Sequence, residues 1–150
     1  MILAIDPGNE YSAYCLMDKE TYKPIEFDKI DNDLMLLKIK ELNYDKIIIE
    51  MIASYGMAVG KSVFDTCVWI GRFIQAKKCL NYEYIYRKEE KINICNSMKA
   101  KDSNIRQALI DRFGEVGTKK NKGFFYGFKK DIWSAFAVGC TYLDKKKENN

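Results

Sequence analysis

The chain has 150 residues, a formal net charge of +4 and no histidine. This length predicts one domain over residues 1–150, and the missing histidine excludes Ser-His-Asp or Cys-His triads, histidine-based zinc sites and histidine general bases. No apolar run approaches the roughly 20 residues of a membrane span. A predicted strand starts at the first residues, so we expect neither a signal peptide nor a membrane partner.

In chain order, hydrophobic periodicity predicts three strands, a helix, a strand, a long helix, a strand and three further helices. The strands are predicted at residues 1–6, 10–18, about 22–28, 45–50 and 82–86. The helices are predicted from about residue 33, over about 57–78 and 88–98, between an N-cap at Asp102 and a stop at Gly114, and over about 131–143. This order is that of the ribonuclease-H-like fold, an α/β fold in which helices flank a mixed five-stranded sheet.

The cysteines are scattered through apolar contexts without a Cys-x-x-Cys pair, at Cys15, Cys67, Cys79, Cys95 and Cys140. An odd number of separated thiols indicates reduced structural side chains rather than a disulfide framework. We therefore expect a cytoplasmic protein. The abundance of Ile, Lys and Asn is typical of an AT-rich genome and suggests a bacterial cell or a phage-infected host.

Three acids lie where a sheet of this kind binds ligands. Asp6 and Glu50 each end a short apolar run, and Asp131 begins the last helix. An acid at the end of a buried strand lies in the crevice outside the sheet. Converging carboxylates repel each other unless a cation lies between them, and oxygen ligands suit Mg²⁺, with Mn²⁺ as a substitute. The three acids and the positive charge together predict a metal-dependent nuclease.

A loop from Gly117 to Lys130 contains five lysines and no acid. These lysines are Lys119, Lys120, Lys122, Lys129 and Lys130. Phe124, Phe125, Tyr126 and Phe128 lie among them. Lysines with aromatic rings suit phosphate contact and base stacking, which predicts DNA binding by this loop. The alternative is a solvated loop whose rings pack into the core.

The long helix has two apolar stripes. One contains Val59, Val63, Cys67, Ile70 and Ile74, and the other contains Phe64, Val68, Trp69 and Phe73. A helix that is apolar on two faces is buried on two sides. We therefore predict a homodimer whose interface is the second stripe, with Trp69 and Phe73 as anchors. The alternative is a helix buried centrally within one domain.

Three motifs carry a resemblance that covers nearly the whole chain. They are Ile-Leu-Ala-Ile-Asp6-Pro-Gly-Asn, Ile-Ile-Ile-Glu50 and Asp131-Ile-Trp-Ser134-Ala-Phe-Ala. With them the chain resembles the RuvC family of Holliday junction resolvases, in particular the compact phage and low-GC bacterial type. The resemblance implies a Mg²⁺-dependent homodimeric endonuclease that hydrolyses branched DNA such as four-way junctions, forks and flaps. It also implies that the first and fourth strands are neighbours.

The resemblance also implies roles for individual residues. Family members hold metal with four acids, of which Asp6, Glu50 and Asp131 match three and Ser134 stands at the fourth position. A hydroxyl can hold a metal-bound water but supplies no charge. With Ser134 in this catalytic set, the binding of a second metal ion is in question. Family members place an aromatic residue shortly after the second acid, where it wedges into the junction. Tyr55 is the nearest aromatic residue here, and its spacing from Glu50 differs from the usual one. Phosphate contacts are implied for a lysine-bearing stretch and the helix after it, here Lys99, Lys101 and Arg106.

Other functions remain open at this point. Another ribonuclease-H-like nuclease would cleave RNA–DNA hybrids or structured RNA, and a junction-binding module would bind without cleaving. The Asp-Pro-Gly start also resembles the phosphate loop of sugar kinases and actin-like ATPases. Those proteins need two such domains, so we expect no nucleotide cofactor here.

Overall fold

The computed structural model describes residues 1–78 and 81–150, and its strands form one mixed sheet. The strands are β1 (Ile2–Asp6), β2 (Tyr11–Met17), β3 (Pro24–Asp31), β4 (Lys46–Met51) and β5 (Tyr82–Tyr86). Their order across the sheet is β3-β2-β1-β4-β5. β1, β4 and β5 run parallel, while β2 runs antiparallel to β1 and β3. The predicted mixed five-stranded sheet is confirmed, and so is the pairing of the first strand with the fourth.

The helices follow the predicted order with shifted ends. They are α1 (Asn32–Glu41), α2 (Lys61–Ala76), α3 (Arg87–Cys95), α4 (Asp102–Phe113) and α5 (Asp131–Glu148). α2 begins later than predicted because Gly60 is extended at its N-cap, and Gly56 has a positive φ of 81° in the preceding turn. Asp102 is the first residue of α4 rather than its N-cap. The N-cap is Lys101, whose N–H donates to Asn104 Oδ1 at 2.8 Å.

The sheet has a hydrophobic core on each face. Leu3 and Ile5 pack with α1 and α2, whereas Ile2, Ala4 and Ile48 pack with α4 and α5. Side chains alternate between the two faces along a strand. Asp6 and Glu50 continue the alternation of Ala4 and Ile48, so both acids belong to the face that α5 covers.

α5 approaches the sheet closely at Gly139. A Cβ atom on Gly139 would lie 2.3 Å from Met17 Sδ and 3.0 Å from Ala4 Cβ, so only glycine fits against β1 and β2. Nearly every residue of α5 from Ile132 to Leu143 is buried. This packing fixes the start of α5, and with it Asp131, near the carboxyl end of β1.

The second apolar stripe of α2 is divided between core and surface. Phe73 is fully buried beside Ile70, so it packs in its own chain and offers no surface to a partner, which corrects its predicted role as an interface anchor. Trp69 is half-buried against Phe73, at a ring separation of 5.8 Å. Phe64 and Val68 are 60% and 63% exposed. The part of the predicted interface that is free for a partner is therefore Phe64, Val68 and the open edge of Trp69.

Cys15 and Cys140 are buried free thiols, and Cys67 and Cys95 are half-buried free thiols. Cys79 lies outside the described residues. No helix within the described part of the chain is long and apolar enough to cross a membrane.

Candidate active site

Asp6 and Glu50 lie side by side at the carboxyl ends of neighbouring parallel strands. The last pair in the register is Ile5 with Ile49, and each acid follows directly. The two carboxyl groups interact, and each shifts the pKa of the other. Burial is the largest cause that raises the pKa of both groups, and the charge of Glu50 further raises the pKa of Asp6. The pair therefore favours either a shared proton or a nearby cation.

Asp131 adds a third negative charge at the start of α5. Its charge raises the pKa of both Asp6 and Glu50, so the three predicted acids are within electrostatic reach of one another. Its Oδ2 accepts a hydrogen bond from Lys29 Nζ at 2.5 Å. The sequence analysis did not predict a role for Lys29. Across the sheet, Asp6 on β1 pairs with Ala13 on β2, and Ala13 pairs with Lys29 on β3, so Lys29 and Asp6 lie in one row.

The donor set suits a hard divalent cation, since its ligand atoms are all oxygens. The pKa values of Asp6 and Glu50 are both raised at the place where a cation would relieve their repulsion. Within the described residues, however, no three Asp, Glu or Cys side chains lie close enough together to hold a metal ion. Asp131 is turned to Lys29, so we expect it to leave this partner in order to act as the third ligand.

The turn after Asp6 is held by a small hydrogen-bond network. The Gly8 N–H donates to Ser12 Oγ at 3.1 Å, and the Ser12 hydroxyl donates to Asn32 Oδ1 at 2.7 Å. Asn32 Nδ2 in turn donates a hydrogen bond to the Gly8 carbonyl oxygen at 2.9 Å. A Cβ on Gly8 would lie 2.2 Å from the Tyr11 carbonyl oxygen, so glycine is required there. The network fixes the backbone that follows the central acid.

Arg87 and Glu90 on α3 also belong to this region, although the sequence analysis missed both. Arg87 follows β5 directly, at the edge where Glu50 lies, and its charge lowers the pKa of Asp6 and Glu50. Glu90 is fully buried, and its Oε1 accepts from Arg87 at 3.2 Å. Burial, followed by the charge of Glu50, raises the pKa of Glu90 to about 9. Glu50 was identified because it lies at the end of a predicted strand. Arg87 directly follows the strand at Tyr82–Tyr86, so the same argument could have identified it.

A cavity of about 340 Å³ opens beside Asp131. Its walls carry three cationic side chains, Arg87, Arg106 and Lys130, and two hydroxyl groups, Ser103 and Ser134. Ser134 thus lies on the same cavity as Asp131, one helical turn further along α5. Two of the predicted DNA-contact residues, Arg106 and Lys130, meet here.

The remaining predicted lysines are exposed at Lys99, Lys101, Lys119, Lys120, Lys122 and Lys129. Lys119 and Lys120 occupy the tip of a tight turn, closed by backbone hydrogen bonds of 3.0 and 3.1 Å between Thr118 and Asn121. The loop's aromatic rings behave differently. Phe125 and Phe128 are buried, and Phe124 packs against the same core, so the predicted base stacking by these phenylalanines is wrong.

Tyr55 lies at an exposed turn between β4 and α2. The turn is closed by a 2.9 Å hydrogen bond from the Met57 N–H to the Ser54 carbonyl, and Tyr55 and Gly56 both have positive φ, at 51° and 81°. The tyrosine side chain is 66% exposed. Its position leaves the ring available to a ligand.

No protein-family model matches the chain, and no curated protein matches it by sequence. Its fold nevertheless matches solved structures of RuvC from Thermus thermophilus. RuvC in complex with Holliday junction substrate is 8% identical, with a TM-score of 0.73 over 99% of this chain and 95% of that chain. A second RuvC structure is 9% identical, with a TM-score of 0.72 over 99% of this chain and 96% of that chain. The chain therefore has the ribonuclease-H-like fold of RuvC, as the sequence resemblance predicted.

Proposed function

We propose that the protein is a divalent-metal-dependent endonuclease that resolves Holliday junctions and other branched DNA by phosphodiester hydrolysis. The observation that carries the proposal is the Asp6–Glu50 pair at the carboxyl ends of adjacent parallel strands, with Asp131 in electrostatic reach. Its setting in a RuvC-like fold supports the same reaction class. The expected compartment is the cytoplasm of a bacterial cell or a phage-infected host.

Asp6, Glu50 and Asp131 would hold the cation, with Asp6 as the central ligand. When bound, Mg²⁺ or Mn²⁺ supplies neutralisation of phosphate charge and acidification of a bound water. The Ser134 hydroxyl, one turn after Asp131, is placed to orient a water molecule by hydrogen bonding. Since the chain has no histidine, the carboxylates must bind and direct the attacking water.

DNA binding would come from exposed cations around this edge. We assign phosphate contacts to Lys99, Lys101, Arg106 and the five lysines of the 117–130 loop, whose side chains face solvent. Tyr55 is the candidate wedge, because its exposed ring lies in the loop that follows Glu50 in sequence.

A homodimer would place one active site on each of two equivalent strands of a four-way junction. We propose that the interface is the exposed half of α2, where Phe64 and Val68 present apolar side chains to solvent. Trp69 would lie at the edge of this interface.

The proposal is tested by incubating a labelled synthetic four-way junction with Mg²⁺ and the wild-type protein, Asp6→Asn or Ser134→Asp. Asp65→Asn is the matched control, because Asp65 pairs with Lys61 on the surface of α2. We expect paired symmetric nicks with wild type and Asp65→Asn, and none with Asp6→Asn. Faster cleavage by Ser134→Asp would show that a fourth carboxylate strengthens the metal site.

Two results would contradict the proposal. Cleavage of an RNA–DNA hybrid but not of the junction would identify another ribonuclease-H-like nuclease. Junction binding without cleavage in Mg²⁺ and in Mn²⁺ would identify a non-catalytic module, in which Asp131 stays with Lys29.

A further inference from the structure

The cavity beside Asp131 is more cationic than its residue types suggest. Its two acids already have basic partners, since Asp102 pairs with Arg87 and Asp131 with Lys29. Within the described residues, Arg106 and Lys130 form no salt bridge. The cavity therefore keeps two cations that pair with no acid among the described residues.

A buried donor without an acceptor lines the same cavity. Trp133 is only 6% exposed, and its indole Nε1 has no hydrogen-bond partner among the described residues. A buried donor without a hydrogen-bond partner is destabilising. Arg106 lies over the Trp133 ring, with 5.0 Å between its guanidinium carbon and the ring centroid. Among the described residues, the indole N–H without a partner and the guanidinium without a salt bridge thus belong to two side chains in contact.

Lys130 is held on the cavity by an unfavourable backbone conformation. Its φ is 40° and its ψ is −118°, a region that L-residues rarely adopt. Such strain persists where the surrounding structure imposes it, and it concentrates at functional sites. Lys130 is the last residue of the 117–130 loop and directly precedes α5, and it lines the cavity.

We infer that this cavity binds a phosphate group of the DNA backbone adjacent to the scissile phosphate, with Arg87, Arg106 and Lys130 as its cationic ligands. The inference rests on the proposed function, because the cavity is lined by Asp131, one of the three proposed metal ligands. Guanidinium groups match phosphate oxygens through paired N–H donors. The hydroxyls of Ser103 and Ser134 add neutral donors. Arg87 would thereby bind substrate rather than serve packing alone.

The first test measures metal-free binding of the junction by fluorescence anisotropy over a range of salt concentrations. Arg106→Gln and Arg87→Gln should weaken binding and should each lower the slope of log affinity against log salt by about 1. Arg87→Gln removes the partner of the buried Glu90 and could disturb the fold. Arg106 makes no salt bridge with any described residue, so we expect Arg106→Gln to keep the fold. Arg72→Gln is the matched control, since Arg72 lies on α2 at the other face of the sheet and should leave the slope unchanged.

The second test needs no DNA. In a Trp69→Phe protein, Trp133 is the remaining tryptophan, and its fluorescence should change saturably with inorganic phosphate. Arg106→Gln should abolish that change.

The outcomes separate the two claims. If the junction is bound and cut but both arginine variants keep the wild-type slope, the cavity assignment is overturned and the nuclease stands. If the junction is neither bound nor cut while the phosphate response persists and needs Arg106, the site takes free phosphate or another phosphate ligand. The nuclease proposal then fails, and the phosphate-binding chemistry of the cavity stands.

Discussion

Lys29 Nζ lies 2.5 Å from Asp131 Oδ2 and thereby joins β3 to the first residue of α5. The side chains are 40% and 47% exposed, so the pair is open to solvent and to ions. The Lys29 ammonium group supplies positive charge beside Asp131. A divalent cation that binds Asp131 Oδ2 therefore competes with Lys29 for this oxygen.

Lys29→Met should strengthen divalent-cation binding. The substitution keeps a flexible apolar stem but removes the competing charge, so we expect the Mn²⁺ dissociation constant to fall several-fold in calorimetric titration. The stability of the metal-free protein should change by less than about 1 kcal/mol, because exposed ion pairs contribute little. Lys19→Met is the matched control, since Lys19 is an exposed lysine paired with Asp45. Weaker Mn²⁺ binding in Lys29→Met would show that Lys29 supports the site.

Asp6→Asn should stabilise the metal-free protein at neutral pH. Burial, the charge of Glu50 and then that of Asp131 raise the pKa of Asp6 above its ordinary value of 3.8. The folded state therefore holds a proton that the unfolded state has lost, and stability falls as pH rises from about 4 through the raised pKa. Asn removes this ionisable group, so the free energy of unfolding at pH 7 should rise.

Urea denaturation in EDTA from pH 4 to pH 9 measures this effect. The wild-type curve should decline with pH, and the Asp6→Asn curve should be flatter. Added Mg²⁺ should raise the stability of wild type only, because the variant lacks the central ligand. A variant less stable than wild type at pH 8 would show that Asp6 is not under electrostatic repulsion.

The strand-end acids were predictable because their positions follow from local rules. Asp6 and Glu50 lie at the carboxyl ends of buried strands, and the alternation of side chains places both on the face that α5 covers. Lys29 could not be found this way, since it lies on an edge strand where charged residues are ordinary and only the row across β2 relates it to Asp6. Glu90 resembles a surface acid in sequence, and only tertiary packing buries it.

For the apolar stripes of α2, the sequence predicted which residues are apolar but not which of them are buried. Helical periodicity identified the apolar residues correctly but could not say which would meet the sheet. Phe73 neighbours Ile74 at the end of the helix that packs on the core, whereas Phe64 lies near the exposed start. The packing geometry decides between core and surface.

Lys130→Gly should stabilise the fold and weaken DNA binding. Glycine adopts a φ of 40° without a Cβ clash, so the free energy of unfolding should rise by about 1 kcal/mol. The lost ammonium group should reduce junction affinity and its salt dependence. Lys129→Gly is the matched control, because it removes a neighbouring charge where φ is not positive and should destabilise slightly. Equal stability losses in both variants would argue against strain at Lys130.

Phe64→Asp should convert the proposed dimer to a folded monomer. Phe64 is 60% exposed, so a charge there disrupts an apolar interface without entering the core. Sedimentation velocity should show the monomer, and circular dichroism should show unchanged helix content. Phe73→Asp instead places a charge in the core beside Ile70, and we expect it to unfold the protein. A dimer that survives both Phe64→Asp and Val68→Asp would place the interface elsewhere, whereas a monomeric wild type would remove the paired-site geometry and leave single nicks as the expected product.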